Sequence, residues 1–444
     1  MSQRRADAQA EPRMDPPEAE DAGRNRAAGG AGGLTGWAPL APFLALDRKI
    51  WLLALARSIN TGGFSLVMPF MAMHLVEDRG ASGTAYGVIY LLAGLIAAVG
   101  QGIAGELSDK IGRRKIMISG LVSRAVVMAA LGVAILEQAS IPVLGALVIL
   151  NGLIRAQFEP AASAAVTELA GPEDRVAAFG LQRIGVNLGW AIGPALGGFL
   201  ASHSYGTLFF VAAPATLLTI FVVLPVKDKE RSRARAAPKQ KLTLQLAVET
   251  LRENRVFTVY LALVLLGSMM TVQIFSTLSL YTSTELAFTK ADVGLLYTIN
   301  GVFVIFFQIP AVSAVRAWGM GRSLVLGALL YAVAYIGFGF SATFTGMAIG
   351  MMVLTAGEVI FAPALTDAAA TLGDPERMGR AFGLFGLVTT LGHSLGPLLG
   401  GVAFDLLRKD PLGLWGLMAL GMIVVAVSYA RFGRTTKVFA RMSA

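Results

Sequence analysis

Charged and titratable side chains interrupt several long apolar stretches of this 444-residue chain. Arg57, Arg155, Glu159, Glu358 and His393 have the chemistry to bind a substrate or to carry a proton. A charge in such a stretch is costly and usually faces a cavity or a partner of opposite charge. A carboxyl group in a dry cavity holds a proton more readily, and a nearby arginine opposes that effect. We therefore predict that Glu159 and Glu358 are the proton carriers.

Simpler interpretations of these charges stay open. Arg155 and Glu159 are four residues apart, so a static ion pair within one helix would satisfy both. His393 is either a proton relay or a packing residue. Arg124 also lies in an apolar stretch, where it is expected to be structural or to extend toward the membrane surface.

Uncharged polar side chains in the apolar stretches are candidate substrate contacts. Asn60 and Gln273 are the leading ones, ahead of Asn187, Asn300 and Gln308. Aromatic and methionine side chains could form an adaptable apolar wall, or could equally face lipid or the core. These residues are Phe64, Phe158, Met269, Met270, Phe275 and Phe361.

The composition predicts that these residues are carried by membrane-spanning helices. Hydrophobic residues make up 55% of the chain and charged residues 15%, with a mean hydropathy of +0.65, whereas soluble domains have about 25% charged residues. Twelve apolar runs come close to the length of a transmembrane helix, about 20 residues. They are 50–75, 85–107, 116–136, 142–167, 177–201, 207–226, 256–283, 291–314, 322–341, 344–369, 380–406 and 413–432.

Three polar segments flank and divide these runs. Residues 1–45 are predicted to be a disordered tail, because they contain too few large apolar side chains to fold. Residues 437–444 form a second tail. Residues 226–255 are predicted to link an N-terminal bundle, 46–225, to a C-terminal bundle, 256–436. The second half of this linker suits either an amphipathic helix on the membrane surface or a plain solvated segment.

The distribution of basic residues predicts the orientation in the membrane. Most of the 37 Lys and Arg residues fall in the tails, the linker and alternate loops. The other loops hold only Arg79, Lys290, Arg408 and Lys409. By the positive-inside rule, both termini are expected in the cytoplasm of a multi-pass protein of the cell (inner) membrane. The positive net charge then reflects topology, and we expect no nucleic-acid partner.

One glycine-proline pattern, G-x8-G-x3-G-P-x2-G-G, occurs twice with an offset of 203 residues. Glycines four residues apart let another helix pack closely, and a proline favours a kink. We predict a duplicated unit, typical of secondary transporters, in which the pattern forms a bending or sliding seam; packing alone is the alternative. The copies are Gly180, Gly189, Gly193, Pro194, Gly197 and Gly198, and Gly383, Gly392, Gly396, Pro397, Gly400 and Gly401.

The loop after the second apolar run reads GELSDKIGRRK over residues 105–115. Gly105 would allow close helix approach, and Gly112 would permit a tight turn. Asp109 could accept hydrogen bonds from Arg113 or from helix-start amides across the bundle interface. The run resembles the motif between the second and third helices of the major facilitator superfamily.

This resemblance covers about residues 45–436 and implies a role for the charges. In that family Asp109 and Arg113 would belong to a latch that holds the two bundles together in the outward-facing state. Glu168 resembles the acidic partner of that latch. The second-half counterpart, RAWGMGR at 316–322, lacks the acid. A full latch is therefore expected only in the first half.

The fifth-run copy of the glycine pattern resembles a motif of that superfamily's proton-coupled antiporters. Its recurrence in the eleventh run weakens this marker, because duplication alone could retain it. The resemblance also implies that the first, fourth, seventh and tenth helices line a central cavity. The fourth run departs from the family, with Val148 where an arginine is expected and Asn151-Gly152 in place of a Gln-Gly pair. That arginine's role is therefore not transferred to Arg155.

These observations favour an all-α membrane protein with twelve transmembrane helices in two pseudo-symmetric six-helix bundles. We expect a monomeric secondary transporter working by alternating access, most simply proton-coupled efflux of amphipathic small molecules. A uniporter or symporter of a specific metabolite, and a transport-inactive membrane sensor, are the alternatives. The chain has no cysteine, three scattered histidines and neither an H-E-x-x-H nor a G-x4-G-K-[ST] motif. An enzyme, a metal site, a cofactor or ATP-driven transport is therefore not expected.

Overall fold

A computed structural model describes residues 41–171, 173–226, 244–374 and 377–436. The predictions for residues 1–40, 227–243 and 437–444 lie outside this part of the chain. The contacts divide the chain into Met1–Ala45, where Ala41–Leu44 is a short helix, and Leu46–Ala444, which contains everything described below. Its described residues form helices and no strand.

Twelve helical segments in the described residues are long and apolar enough to cross a membrane. The predicted all-α, twelve-span fold is thereby confirmed. Between the sixth and seventh spans, Leu244–Glu253 forms a helix where the sequence left a helix or an irregular linker open. We number the spans 1 to 12: Arg48–Asp78, Gly83–Ile111, Arg113–Leu136, Ile141–Leu169, Arg175–Ala201, Tyr205–Val223, Arg255–Thr284, Lys290–Trp318, Met320–Phe340, Phe344–Leu372, Met378–Leu407 and Pro411–Thr436.

Two of the spans are interrupted just before a proline. In span 1 the first helix ends at Ser65, four residues before Pro69. In span 4 the helix Ile141–Arg155 ends shortly before Pro160, and Phe158–Leu169 continues the span. A proline ring clashes with the carbonyl group four residues earlier, which explains both positions. Pro194 and Pro397 lie inside uninterrupted helices.

Spans 1–6 and 7–12 form two six-helix bundles, and two helix pairs supply the main contacts between them. Span 2 packs along span 11, and span 5 packs along span 8. Spans 3 and 6, and spans 9 and 12, pack together within their own bundles. The interface between the bundles is thus formed by the same helix positions in each half.

The turns after spans 2 and 8 have the same backbone geometry. Gly112 has φ 106° and ψ 149°, and Gly319 has φ 80° and ψ 149°. A positive φ is strained for other residue types, so glycine is required for these one-residue connections. The predicted tight turn at Gly112 is present. We call the end of the bundles that contains these two turns the basic end, and the other the opposite end.

Candidate functional site

The two bundles are closely packed at the opposite end along spans 2 and 11. A Cβ atom added to Gly83 would lie 2.7 Å from the Gly401 carbonyl oxygen, and one added to Gly87 would lie 2.7 Å from the Pro397 carbonyl oxygen. Farther along span 2, a Cβ on Gly94 would overlap the Ser394 side chain. No side chain larger than hydrogen therefore fits at these three positions of span 2 without a shift of span 11.

Spans 5 and 8 repeat this contact on the other side of the interface. A Cβ on Gly198 would lie 2.5 Å from the Lys290 carbonyl oxygen, and one on Gly294 would lie 2.5 Å from the Pro194 carbonyl oxygen. A Cβ on Gly301 would lie 2.7 Å from the Ala191 backbone nitrogen. Both interfaces are thus sealed by backbone-to-backbone contact.

Toward the basic end spans 2 and 11 move apart. Added Cβ atoms on Gly102 and Gly105 of span 2, or on Gly386 of span 11, would have no described atom of another helix within 4 Å. The prediction that Gly105 allows close helix approach is wrong for this conformation. The space between the bundles therefore opens to the basic end and is closed at the opposite end.

The glycines of the repeated pattern serve two different contacts. Added Cβ atoms on Gly189, Gly193 and Gly197 would meet span 1, and those on Gly392, Gly396 and Gly400 would meet span 7, in both cases within one bundle. The last glycine of each copy, Gly198 or Gly401, meets the other bundle instead. Near the basic end, Gly180 is half-buried and Gly383 is exposed. Most of the pattern thus fixes helix packing inside each bundle.

The acid of span 4 pairs with an arginine of span 1. The Nη2 atom of Arg57 lies 2.5 Å from Oε2 of Glu159 and donates a second hydrogen bond to the Ser163 hydroxyl oxygen at 2.9 Å. Arg57 is 8% exposed. The pair therefore joins two helices that the family resemblance places around the cavity.

Arg155 does not form the intrahelical pair that its spacing from Glu159 allowed. The helix break at residues 156–157 separates the two side chains. The Arg155 guanidinium instead lies over the Phe64 ring, with its Cζ atom 4.4 Å from the ring centroid. Among the described residues it has no carboxylate within 4.0 Å. A cation over an aromatic face is stabilised by the ring quadrupole.

Phe64 begins a row of aromatic rings that crosses between the bundles. Its ring centroid lies 6.2 Å from that of Trp190, which lies 4.4 Å from that of Phe275. The Phe275 ring stacks on Tyr297 at 5.8 Å. Spans 1, 5, 7 and 8 contribute one ring each. Of the candidate wall residues, Phe64 and Phe275 thus belong to one aromatic surface.

Three further polar residues are buried and form hydrogen bonds inside their own bundles. Asn60 is 4% exposed, and its side-chain oxygen accepts a hydrogen bond from Arg124, which is 2% exposed. Arg124 is therefore a buried structural residue and does not extend to the membrane surface. Gln273 is 0% exposed and donates to the Gly396 carbonyl oxygen at 2.9 Å. Asn60 and Gln273 do not line open space in this conformation.

The acid of span 10 accepts a hydrogen bond from a neutral side chain. Asn300 of span 8 donates to Oε2 of Glu358 at 2.8 Å and to the Thr355 hydroxyl at 2.9 Å. No cation of the described chain lies within 4.0 Å of Glu358. Arg183 of span 5 donates to the side-chain oxygen of Gln308 at 3.2 Å. Glu358 thus differs from Glu159, which forms an ion pair with Arg57.

Two of the predicted latch residues, Arg113 and Glu168, meet within one bundle. Arg113 is 5% exposed and donates from Nε and Nη2 to Oε1 of Glu168, at 3.2 and 3.1 Å. Its Nη1 atom donates to the Ser108 hydroxyl oxygen at 2.7 Å. Asp109 lies in the helix of span 2, and its side chain is outside the described part. His393 is exposed on span 11.

The family follows from a sequence comparison that covers most of the chain. A family model described as Major Facilitator Superfamily matches residues 53–397 and 268–439. The chain belongs to the major facilitator superfamily. It is accordingly an integral, multi-pass membrane transporter of small molecules and not an enzyme.

Curated relatives of this major facilitator resemble it at low identity and nearly full length. An uncharacterized transporter, YqjV of Bacillus subtilis, is 25% identical, with 87% of this chain and 95% of the relative covered. The quinolone resistance protein NorA of Staphylococcus aureus is 26% identical, with 86% and 97% covered.

Solved structures show the same fold. The nucleoside transporter NupG aligns with a TM-score of 0.72 at 13% identity, over 87% of this chain and 99% of NupG. A bacterial homologue of the lysosomal transporter Spinster, inward-facing and unoccupied, aligns with a TM-score of 0.69 at 15% identity, over 89% and 97%. These likenesses concern the fold alone.

Proposed function

We propose that this transporter exports amphipathic small molecules across the cell's inner membrane in exchange for protons. Glu358 carries the proposal: it is an acid near the middle of span 10 that accepts a hydrogen bond from the neutral amide of Asn300. A carboxylate without an arginine partner can bind either a proton or a cationic group of a substrate. Mutually exclusive binding of the two ligands couples their movements in opposite directions.

The aromatic row supports an amphipathic substrate. The rings of Phe64, Trp190 and Phe275 come from both bundles and offer flat apolar surface beside charged groups. Aromatic faces bind both apolar rings and cations. The relation to NorA, whose name refers to quinolone resistance, points in the same direction.

With the basic end in the cytoplasm, as the positive-inside rule predicts, this conformation is inward-facing. The cavity is then accessible to substrate from the cytoplasm, as export requires. Both termini and the linker lie on the same side in this proposal. Closure of the basic end would bring the Arg113–Glu168 region toward the other bundle, which is the outward-facing latch that the family resemblance implies.

A second candidate function, symport of an anionic metabolite, follows from Arg155. This guanidinium has no carboxylate within 4.0 Å in the described chain and lies over Phe64. If the substrate is an anion, protonation of a nearby carboxyl group favours its binding, because a negative charge is removed. Proton and substrate would then move in the same direction.

Transport into proteoliposomes with an imposed pH gradient separates these functions. With an acidic lumen, an antiporter accumulates a cationic amphipath in the lumen, whereas a symporter expels an anion from it. The compound panel should contain cationic, zwitterionic and anionic members with the same ring system. If no transported compound responds to the gradient, proton coupling is contradicted. A complete lack of flux for the panel supports the transport-inactive sensor.

A further inference from the structure

The helix start of span 2 is capped by an acid from the other bundle. Asp405, near the end of span 11, accepts hydrogen bonds from the backbone nitrogen of Gly83 at 2.7 Å and of Thr84 at 2.8 Å. It also accepts one from the Thr84 hydroxyl at 2.6 Å. These first-turn amides have no partner within their own helix. A carboxylate at a helix start is further favoured by the helix dipole.

The start of span 8, the repeat counterpart of span 2, is capped from within. Thr289 accepts from the Asp292 backbone nitrogen at 3.1 Å, and Asp292 accepts from the Thr289 backbone nitrogen at 2.9 Å. At the position equivalent to Asp405, Ser202 donates to the Phe199 carbonyl oxygen of its own helix. The cross-bundle contact here is Lys290 over the Tyr205 ring. Of these two helix starts, that of span 2 is therefore capped by a residue of the other bundle and that of span 8 by its own residues.

We propose that Asp405 is the residue that latches the opposite end shut and so sets the ratio of inward-facing to outward-facing molecules. Opening of the opposite end must separate span 2 from span 11, because they belong to different bundles. The separation removes Asp405 from the amides of Gly83 and Thr84. Asp292 moves with its own helix, so its hydrogen bonds are the same in both states. This inference rests on the alternating access of the proposed function.

Distances between spin labels test directly whether Asp405 holds the opposite end closed. The chain has no cysteine, so introduced cysteines are the only labelling sites. Glu137→Cys with Ala342→Cys places exposed labels on the two bundles at the opposite end. Lys115→Cys with Arg322→Cys does the same at the basic end. Each pair is measured in the full chain in lipid nanodiscs, with Asp405 intact and with each of the variants Asp405→Ala, Asp405→Asn and Asp292→Ala.

We expect Asp405→Ala to raise the outward-facing to inward-facing ratio by about fivefold, the effect typical of losing a helix cap. Opposite-end distances should lengthen while basic-end distances shorten. Asp405→Asn retains one acceptor oxygen and should shift the ratio less. The matched variant Asp292→Ala should leave both distributions unchanged.

Unchanged distance distributions in Asp405→Ala would overturn the proposed role of Asp405. An equal shift in Asp292→Ala would overturn it as well. The distance measurement uses no transported compound. The Asp405 proposal can therefore be contradicted without contradicting the proposed function. If the distances shift while no member of the compound panel is transported, the efflux proposal fails and the latch stands. If gradient-driven transport occurs and the distances do not shift, the latch alone fails.

Discussion

The Arg57 guanidinium lies 2.5 Å from the Glu159 carboxylate and ties span 1 to span 4. Arg57 is buried, whereas the Glu159 side chain is 38% exposed, so solvent weakens their attraction. Loss of the carboxylate leaves the buried guanidinium with Ser163 as a neutral partner. The pair therefore contributes to the stability of the N-terminal bundle as well as to the charge of the cavity.

A double-mutant cycle on this pair should show positive coupling. We expect Glu159→Gln and Arg57→Met to lower the free energy of unfolding by about 1–2 kcal/mol each, and the double variant to lose about 1 kcal/mol less than their sum. Reversible denaturation in detergent measures these values. Asp367→Asn, an exposed acid on span 10, is the control. Strict additivity would show that the two side chains do not interact in solution.

Glu358→Gln should uncouple transport from the pH gradient. The amide retains the size of the carboxyl group and can still accept from Asn300, but it cannot exchange a proton. We expect gradient-driven accumulation to fall at least about a hundredfold, the lower end of the effect of a lost proton-transfer group, while exchange without a gradient continues. Proteoliposomes report both fluxes. Asp367→Asn should behave like the parent protein; full gradient response in Glu358→Gln removes this acid from the mechanism.

The glycine contacts inside the bundles predict unequal effects of the same substitution. A Cβ on Gly189 would lie 2.7 Å from the Ser58 carbonyl oxygen, whereas one on Gly102 meets nothing within 4 Å. We expect Gly189→Ala to destabilise the protein by about 1–3 kcal/mol through overpacking. Gly102→Ala should cause no loss. Thermal unfolding in detergent compares the two, and equal midpoints would mean that span 1 adjusts freely.

The Arg113–Glu168 pair predicts a structural effect within the N-terminal bundle. Arg113 is buried, and Glu168 accepts two of its hydrogen bonds. Glu168→Gln should lower the free energy of unfolding by about 1–3 kcal/mol, because a buried charge loses an ionic acceptor. Glu173→Gln, on an exposed neighbouring acid, should change it by less than about 0.5 kcal/mol. Similar losses in both variants would assign the effect to the loop as a whole.

The spans, the duplication and the one-residue turn at Gly112 could be predicted from the sequence, because apolar length, repeated glycines and a glycine between helices are local signals. The partner of each charge could not. Arg155 and Glu159 have the spacing of a helical pair, but Pro160 breaks the helix between them. The burial of Arg124 and the cap formed by Asp405 depend on helices distant in sequence.

The glycines at the interfaces between the bundles repeat in the sequence at an offset other than 203 residues. Gly87 and Gly294 are separated by 207 residues, as are Gly94 and Gly301, and these glycines line the two interfaces between the bundles. The 203-residue offset of the glycine-proline pattern does not relate these glycines. The second helices of the two halves are related by 207 residues and the fifth helices by 203, because the halves differ in length between these points.

The matched contacts at the two interfaces have an evolutionary consequence. Gly87 meets the carbonyl group of Pro397 as Gly294 meets that of Pro194, so each half offers the other the same surface that it receives. A self-complementary surface of this kind is what two identical chains share across a twofold axis. A six-helix ancestor could therefore have paired with its own copy before the gene was duplicated and fused. Fusion then needed a connecting segment, and no new interface.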